Sequence, residues 1–237
     1  VAFLVVFFMQ TNHMIPRMFA GQLVPITAYI VMAISLNLVV GVAGDLSLGH
    51  AGFMSIGAYT GIVTAVSMQT AGAPQTLALI VSIVVGAVFA AIAGFIIGIP
   101  VLRLRGDYLA IVTLAFGEII KEVVTCLIVG VDAHGLHVVF NLRGNATVND
   151  LHLMDDGIAI IKGAQGASGV STYSTFVAGF VLIMIALVVV LNLVRSRTGR
   201  AIEAVRDNRI AAESVGISVT KYRMIAFVVS AALAGAA

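Results

Sequence analysis

The sequence predicts an all-α, polytopic transmembrane helix bundle, and three observations support this fold class. Of the 237 residues, 60% are hydrophobic and 10% are charged, whereas a soluble domain carries about 25% charged residues. The mean hydropathy is +1.11, so the chain needs a bilayer that accepts its apolar side chains. Strands of membrane β-barrels alternate apolar and polar residues over roughly ten residues. The apolar runs here are continuous and longer than that, which favours bundled helices.

A spanning helix needs about 20 mostly apolar residues. The apolar runs, of which the first and last are partial, cover residues 1–9, 24–43, 46–68, 77–102, 108–130, 173–194 and 222–237. Because the sequence begins at Val1 and stops inside an apolar run, we expect truncation at both ends and further helices in the parent protein.

The placement of Lys and Arg predicts the orientation. Basic residues concentrate in segments 103–107 and 195–223, and the two helices between these segments place both on one side, which is then cytoplasmic. Segment 131–172 accordingly falls outside, with room for a short helix or hairpin. It is either an ordinary extracytoplasmic loop or a partner-docking surface.

The cytoplasmic segment 195–221 predicts one short amphipathic helix over residues 199–215. At 100° per residue, small apolar side chains share an arc of about 120°, and charged side chains occupy the other side. The arc comprises Ala201, Ala204, Val205, Asn208, Ala211, Ala212 and Val215, and the charged side comprises Arg200, Glu203, Arg206, Asp207, Arg209 and Glu213. A lipid-surface helix uses Leu, Phe and Trp, so a docking protein is favoured over membrane adsorption or a solvated linker.

Residues 41–57 are unusual at membrane depth because they combine several glycines with polar side chains. The polar residues are Asp45, Ser47, His50 and Ser55. Glycine disfavours a helix by about 1 kcal/mol relative to alanine. Two interpretations stay open: a bent or broken helix beside a polar pathway that includes Ser47 and His50, or close helix packing through small residues.

A row of small residues in the run 77–102 predicts a helix-packing seam. The row recurs every four residues and consists of Gly86, Ala90, Gly94 and Gly98.

Charges also lie inside the run 108–130, where an isolated charge costs several kcal/mol. Glu118, Lys121 and Glu122 are spaced to pair along one helix face. They form either a polar lining for a pathway or an ion pair that fixes packing. The sequence contains no nucleophile–base pair, phosphate-binding loop or metal-ligand cluster, so we expect neither enzymatic activity nor a metal or other cofactor.

Three stretches together resemble one family, the bacterial branched-chain amino-acid ABC transporter permeases of the LivM type. The stretches read LNLVVGVAGDLSLGHAGFMSIGAY at residues 36–59, VLRLRGDYLAIVTLAFGEIIK at residues 101–121, and TGRAIEAVRDNRIAAESVGISVTKYRMIAFVVSAALAG at residues 198–235.

The resemblance implies that residues 1–237 form the transmembrane domain of an ATP-driven importer in the bacterial cytoplasmic (inner) membrane. The implied partners are the lipid bilayer, a second homologous permease, two ATP-binding subunits inside and a substrate-binding protein outside; no nucleic acid is expected. Segment 195–221 becomes the coupling loop. Its ATPase-coupling candidates are Arg200, Glu203, Arg206, Asp207, Ala211, Ala212 and Gly216.

Two departures from the family pattern limit what the resemblance implies. Importers of this class often carry E-A-A-x-x-x-G in the coupling loop, but Ile210 replaces the glutamate here. GVDAHGLHVVF at residues 130–140 replaces a Gly-rich stretch, so urea or short amides remain alternatives to branched-chain or related amino acids. A secondary transporter or channel that uses Glu118 and Lys121 is a further alternative, although the chain lacks paired interrupted helices.

Overall fold

The computed structural model describes residues 16–104, 106–132, 135–140, 158–167 and 174–237. The predicted partial span at residues 1–9 and much of segment 131–172 lie outside the described residues.

The described residues form a bundle of apolar helices. The helices are α1 (Arg17–Asn37), α2 (His50–Thr70), α3 (Gln75–Val101), α4 (Asp107–Thr125), α5 (Phe176–Arg195), α6 (Arg197–Asp207), α7 (Arg209–Ser214) and α8 (Val219–Ala236). Within the described part of the chain, five segments are long and apolar enough to cross a membrane: Gly21–Val42, α2, α3, α5 and α8. The predicted all-α polytopic class is confirmed.

The predicted span at residues 108–130 is wrong at its C-terminal end. Helix α4 ends at Thr125, and Leu127 begins a β-strand. Branched residues such as Val129 and Val131 suit a strand that packs on a neighbouring surface. Helix α4 also differs from the five apolar spans because it carries Glu118, Lys121 and Glu122.

A small antiparallel sheet follows α4. Its strands are β1 (Leu127–Asp132), β2 (Gly135–Phe140) and β3 (Ile158–Lys162), in the order β2-β1-β3. The antiparallel pair of β1 and β2 begins before residue 131 and extends into segment 131–172, for which the sequence left room for a short helix or a hairpin. Buried residues of β1 and β3 pack against the middle and C-terminal part of α2, where the contacting residues are Tyr59, Ile62, Val63 and Val66.

The centre of the bundle is a close crossing of α2, α3 and α8. The predicted seam residues Gly86, Ala90, Gly94 and Gly98 are all buried in α3. A Cβ placed on Gly86 would lie 2.8 Å from the Gly57 carbonyl oxygen and 3.0 Å from that of Gly235. Small residues therefore let three backbones approach each other, which confirms the seam.

Both basic segments lie at one end of the bundle, as predicted. Arg223 at the start of α8 donates from Nη1 to the Leu102 carbonyl oxygen, 3.3 Å away, at the end of α3. By the positive-inside rule we expect this end to be cytoplasmic, and it is hereafter called the cytoplasmic end.

The glycine crossing yields a stability prediction. We expect Gly86→Ala to destabilise the bundle by about 1–3 kcal/mol, since the added methyl group meets backbone atoms rather than flexible side chains. Gly21→Ala in α1 is the matched control, because no atom of the described residues would lie within 4 Å of the added Cβ; it should be neutral or stabilise by up to about 1 kcal/mol. Thermal unfolding in detergent measures both, and equal melting temperatures would contradict the packing account.

Candidate functional site

The cytoplasmic segment after α5 contains two helices rather than the predicted single helix over residues 199–215. Asn208 interrupts the helix with extended backbone angles (φ −151°, ψ 102°), and its side chain accepts a hydrogen bond from the Ala211 amide at 3.0 Å. Asparagine is among the strongest helix N-caps, so Asn208 was the available signal for this break. Ser196 caps α6 in the same way by accepting from the Gly199 amide.

The C-terminus of α7 explains two residues of the A-A-x-x-x-G pattern. Gly216 has a φ of +86°, which favours glycine. Its amide donates to the Glu213 carbonyl oxygen at 3.1 Å, and the Ile217 amide donates to that of Ala212 at 3.0 Å. This pair of bonds is a Schellman motif, so Gly216 terminates the helix.

The two alanines of this pattern have different environments. Ala212 is 4% exposed and packs with Val205 and Val219. Ala211 is exposed, beside Ile210 at 81% and Val215 at 74% exposure. Ala211, Ile210 and Val215 are hereafter called the α7 apolar surface.

The predicted apolar arc therefore differs from the face that the fold buries. In α6 and α7 the buried hydrophobic residues are Ile202, Val205 and Ala212. Ile202 was missed, although it is the largest apolar side chain of α6 and its size was a usable signal. Ile202 packs with Ala43 and Ala226, so it attaches α6 to the bundle.

Among the charged coupling candidates, Arg206 turns towards the bundle. Its Nη1 donates to the Gly41 carbonyl oxygen at 2.9 Å, and its Nε donates to Asp207 Oδ1 at 3.2 Å. Arg200 and Asp207 are exposed, and Glu203 is half-buried.

A buried ion pair that sequence reasoning missed joins three elements at the cytoplasmic end. Arg223 is 8% exposed. Its Nε donates to Asp45 Oδ2 at 2.7 Å, and its Nη2 donates to Asp45 Oδ1. With the bond to Leu102, the pair connects the α1–α2 loop, the end of α3 and the start of α8. The only signal was one carboxylate in an apolar, Gly-rich stretch.

Ser47 and His50 lie inside the protein, at 5% and 3% exposure. His50 Nε2 is 2.8 Å from Ser35 Oγ and 3.4 Å from Ser230 Oγ, and Ser230 donates to the Ser35 carbonyl oxygen at 2.6 Å. The Ser35–His50–Ser230 cluster thus joins α1, α2 and α8. Among the described residues, Ser47 Oγ and His50 Nδ1 are buried without a hydrogen-bond partner.

The Gly-rich stretch is both interrupted and closely packed. A loop separates Val42 from His50, so the break expected in residues 41–57 is present. A Cβ on Gly49 would overlap the Thr113 carbonyl oxygen of α4, and the Leu48 amide donates to Thr113 Oγ1 at 3.1 Å. These contacts account for the glycine by close packing; a pathway role for Ser47 and His50 stays a prediction.

Glu118 and Lys121 form an ion pair on the outside of α4, with side chains 61% and 64% exposed. The position of this pair along the bundle axis can be measured from Thr113, which contacts Gly49 at the start of α2. Glu118 and Lys121 are five and eight residues beyond Thr113, hence about 8 and 12 Å further along the helix towards the outer side. The structure does not pair either residue with Ser47 or His50. Within the described part of the chain, no three His, Cys, Asp or Glu side chains group as metal ligands.

The fold defines a multi-pass helical membrane protein in which the segment after α5 is attached to one end of the bundle. The sequence matches the family described as "Branched-chain amino acid transport system / permease component" over residues 18–237. The chain belongs to this family.

Two curated relatives carry the description "High-affinity branched-chain amino acid transport system permease protein LivM". The protein from Escherichia coli is 36% identical over 213 residues, which is 87% of this chain and 48% of the relative. The protein from Salmonella typhimurium is 35% identical over the same coverage. The chain thus spans about half the length of these relatives. No solved structure matches it.

The Asp45–Arg223 pair yields a second stability prediction. We expect Arg223→Ala to destabilise the protein by about 3–5 kcal/mol, because it leaves the Asp45 carboxylate buried without its partner. Lys221→Ala, two residues earlier and exposed, should change stability by less than about 0.5 kcal/mol. Thermal unfolding in detergent measures both, and a melting temperature for Arg223→Ala equal to that of Lys221→Ala would refute the pairing.

Proposed function

We propose that this chain is part of the membrane permease subunit of an ATP-driven ABC importer in the bacterial cytoplasmic (inner) membrane. Residues 1–237 belong to its transmembrane domain, with residues 131–172 outside and residues 195–221 as the coupling loop. The α7 apolar surface is the observation that carries the proposal. Family membership supports the transport class.

The α7 apolar surface suits a protein partner better than lipid. It presents Ile210, Ala211 and Val215 next to the ion pair between half-buried Arg209 and exposed Glu213. Within α7 there is no Phe, Trp or Leu to enter a bilayer. The Asn208 cap, the Gly216 terminus and buried Ala212 hold its shape before any partner binds. Such preorganisation reduces the entropy cost of docking.

The proposed cytoplasmic partners are two ATP-binding subunits. The chain supplies no phosphate-binding G-x-x-x-x-G-K-[ST] motif, in keeping with ATP hydrolysis on separate chains. Of the seven ATPase-coupling candidates, the exposed Arg200, Asp207 and Ala211 are docking residues, Ala212 and Gly216 shape α7, and Glu203 and Arg206 stay candidates.

The Glu118–Lys121 pair supports a translocation pathway shared with a second homologous permease. The pair is exposed among the described residues. Its position on α4, about 8–12 Å beyond Thr113, places it by inference at membrane depth, where contact with lipid is costly. A water-filled pathway between two permeases removes that cost. An extracytoplasmic binding protein would deliver the substrate at the opposite end from α7.

Branched-chain amino acids are the proposed substrates. The support comes from the family and from the relatives' descriptions, which name branched-chain amino acid transport. Competition of labelled leucine uptake by isoleucine, valine, urea and acetamide tests this assignment, and competition by urea or acetamide alone would replace it.

The docking surface is tested with Ala211→Arg in the full-length protein purified with its membrane neighbours. We expect the ATP-binding subunits to be lost from the purified complex by at least tenfold, since an arginine on the apolar surface blocks close approach. Ala71→Arg is the matched control, an exposed alanine at the other end of the bundle, and should retain them. Substrate uptake that persists without any ATPase would instead favour a secondary transporter or channel.

The pathway assignment is tested with Glu118→Gln. We expect uptake to slow several-fold while the melting temperature stays nearly constant, because an ion pair this exposed contributes little to stability. Glu118→Asp keeps the charge and should recover part of the rate. Unchanged uptake by Glu118→Gln would show that the pair serves packing.

A further inference from the structure

A π-helical segment, Leu38–Val42, continues helix α1 directly after Asn37. It lies where α6 contacts the bundle. Single π-helical turns are rare and occur frequently at functional sites. Gly41 lies in this turn, and a Cβ there would overlap the Asn37 side chain. The Ala43 amide donates to the Leu38 carbonyl oxygen at 3.1 Å, and the Asp45 amide donates to that of Val39 at 3.0 Å.

Arg206 of α6 binds the end of this π-helical segment. The last carbonyl groups of a helix lack intrahelical donors, and Arg206 Nη1 supplies one to the Gly41 carbonyl oxygen at 2.9 Å. The stem of Arg206 lies over Gly44, where a Cβ would be 2.7 Å from Arg206 Cγ. Gly44 also has a φ of +75°, so a residue with a side chain would be strained there and would displace Arg206.

Ile202, one turn before Arg206 in α6, also packs α6 against the end of the π-helical segment. It is 1% exposed and packs with Ala43, with Val42 of the π-helical segment alongside. Because Ile202 and Arg206 attach α6 at two points, a displacement of α6 must be accommodated at the end of α1. Ser35, three residues before the π-helical segment, belongs to the cluster that joins α1 to α2 and α8.

We propose that Arg206 is a positioning residue, which transmits movement of the docked α6–α7 segment to the π-helical end of α1. This assignment rests on the proposed function and deepens it. It moves Arg206 out of the set of residues that would contact an ATP-binding subunit. The force path runs from the α7 apolar surface through α6 and Arg206 to Gly41, and from there to the Ser35–His50–Ser230 cluster.

The test uses the complete transporter, with full-length permeases, ATP-binding subunits and binding protein, reconstituted in liposomes. The variants are Arg206→Ala and Arg206→Lys. Lys221→Ala is the control, because Lys221 is an exposed cation near the start of α8 and has no role in the proposal. The measurements are the amount of copurified ATP-binding subunit, the ATP hydrolysis rate, and the substrate taken up per ATP hydrolysed.

For Arg206→Ala we expect the amount of copurified ATP-binding subunit to stay within twofold of the wild type, while the substrate taken up per ATP hydrolysed falls at least tenfold. Arg206→Lys, which keeps the stem and one donor, should recover part of this ratio, and Lys221→Ala should match the wild type. A merely structural role would lower assembly and hydrolysis together and leave the ratio unchanged.

Gly44→Ala provides a second variant, in which the arginine at position 206 is itself unchanged. The added methyl group should displace Arg206 and lower uptake per ATP in the same direction as Arg206→Ala. Loss of the ATP-binding subunits from Arg206→Ala, or an unchanged ratio in both variants, would overturn the positioning role. If the wild-type permease binds no ATP-binding subunit, the proposed function itself fails, and the two failures are thereby distinguished.

Discussion

The rest of the structure depends on the ion pair between Asp45 and Arg223, which joins three elements at the cytoplasmic end of the bundle. A carboxylate and a guanidinium removed from water are costly, and the cost is offset when the pair is bidentate and its other donors are satisfied. Arg223 meets this condition by also donating to the Leu102 carbonyl oxygen. The α1–α2 loop, the end of α3 and the start of α8 therefore keep a fixed arrangement, and α6 packs on that arrangement through Ile202.

Above this junction the bundle is held by backbone proximity rather than by large side chains. Gly57, Gly86 and Gly235 let α2, α3 and α8 approach until side-chain atoms cannot be added between them. In a bilayer, lipid tails compete with apolar side chains for contact, so close packing of small residues contributes much of the helix association. The Ser35–His50–Ser230 cluster adds directional bonds that link α1 to this crossing.

These features distinguish side chains that attach α6 and α7 to the bundle from side chains that are exposed to solvent. Ala212 and Gly216 shape α7, Arg206 and Ile202 fasten α6, and Ile210, Ala211 and Val215 remain available to a partner. Uncovered charge at Glu118 and Lys121 occurs on α4, away from this junction. Any displacement of α6 would reach the bundle through Ile202 and Arg206, because these two side chains contact it.

The sequence by itself determined the membrane class, the helix seam at Gly86–Ala90–Gly94–Gly98, the common side of both basic segments and the family. The membrane class follows from composition and the seam from spacing along one helix, which local physics sets. The common side follows from the two helices between the basic segments, and the family follows from the resemblance of three stretches of sequence. The sequence did not determine the strand after Thr125, the division of the coupling segment at Asn208, or the burial of Ile202. Tertiary structure alone decided the Asp45–Arg223 pair and the inward turn of Arg206, because residues 178 and 165 positions apart meet only after the helices pack.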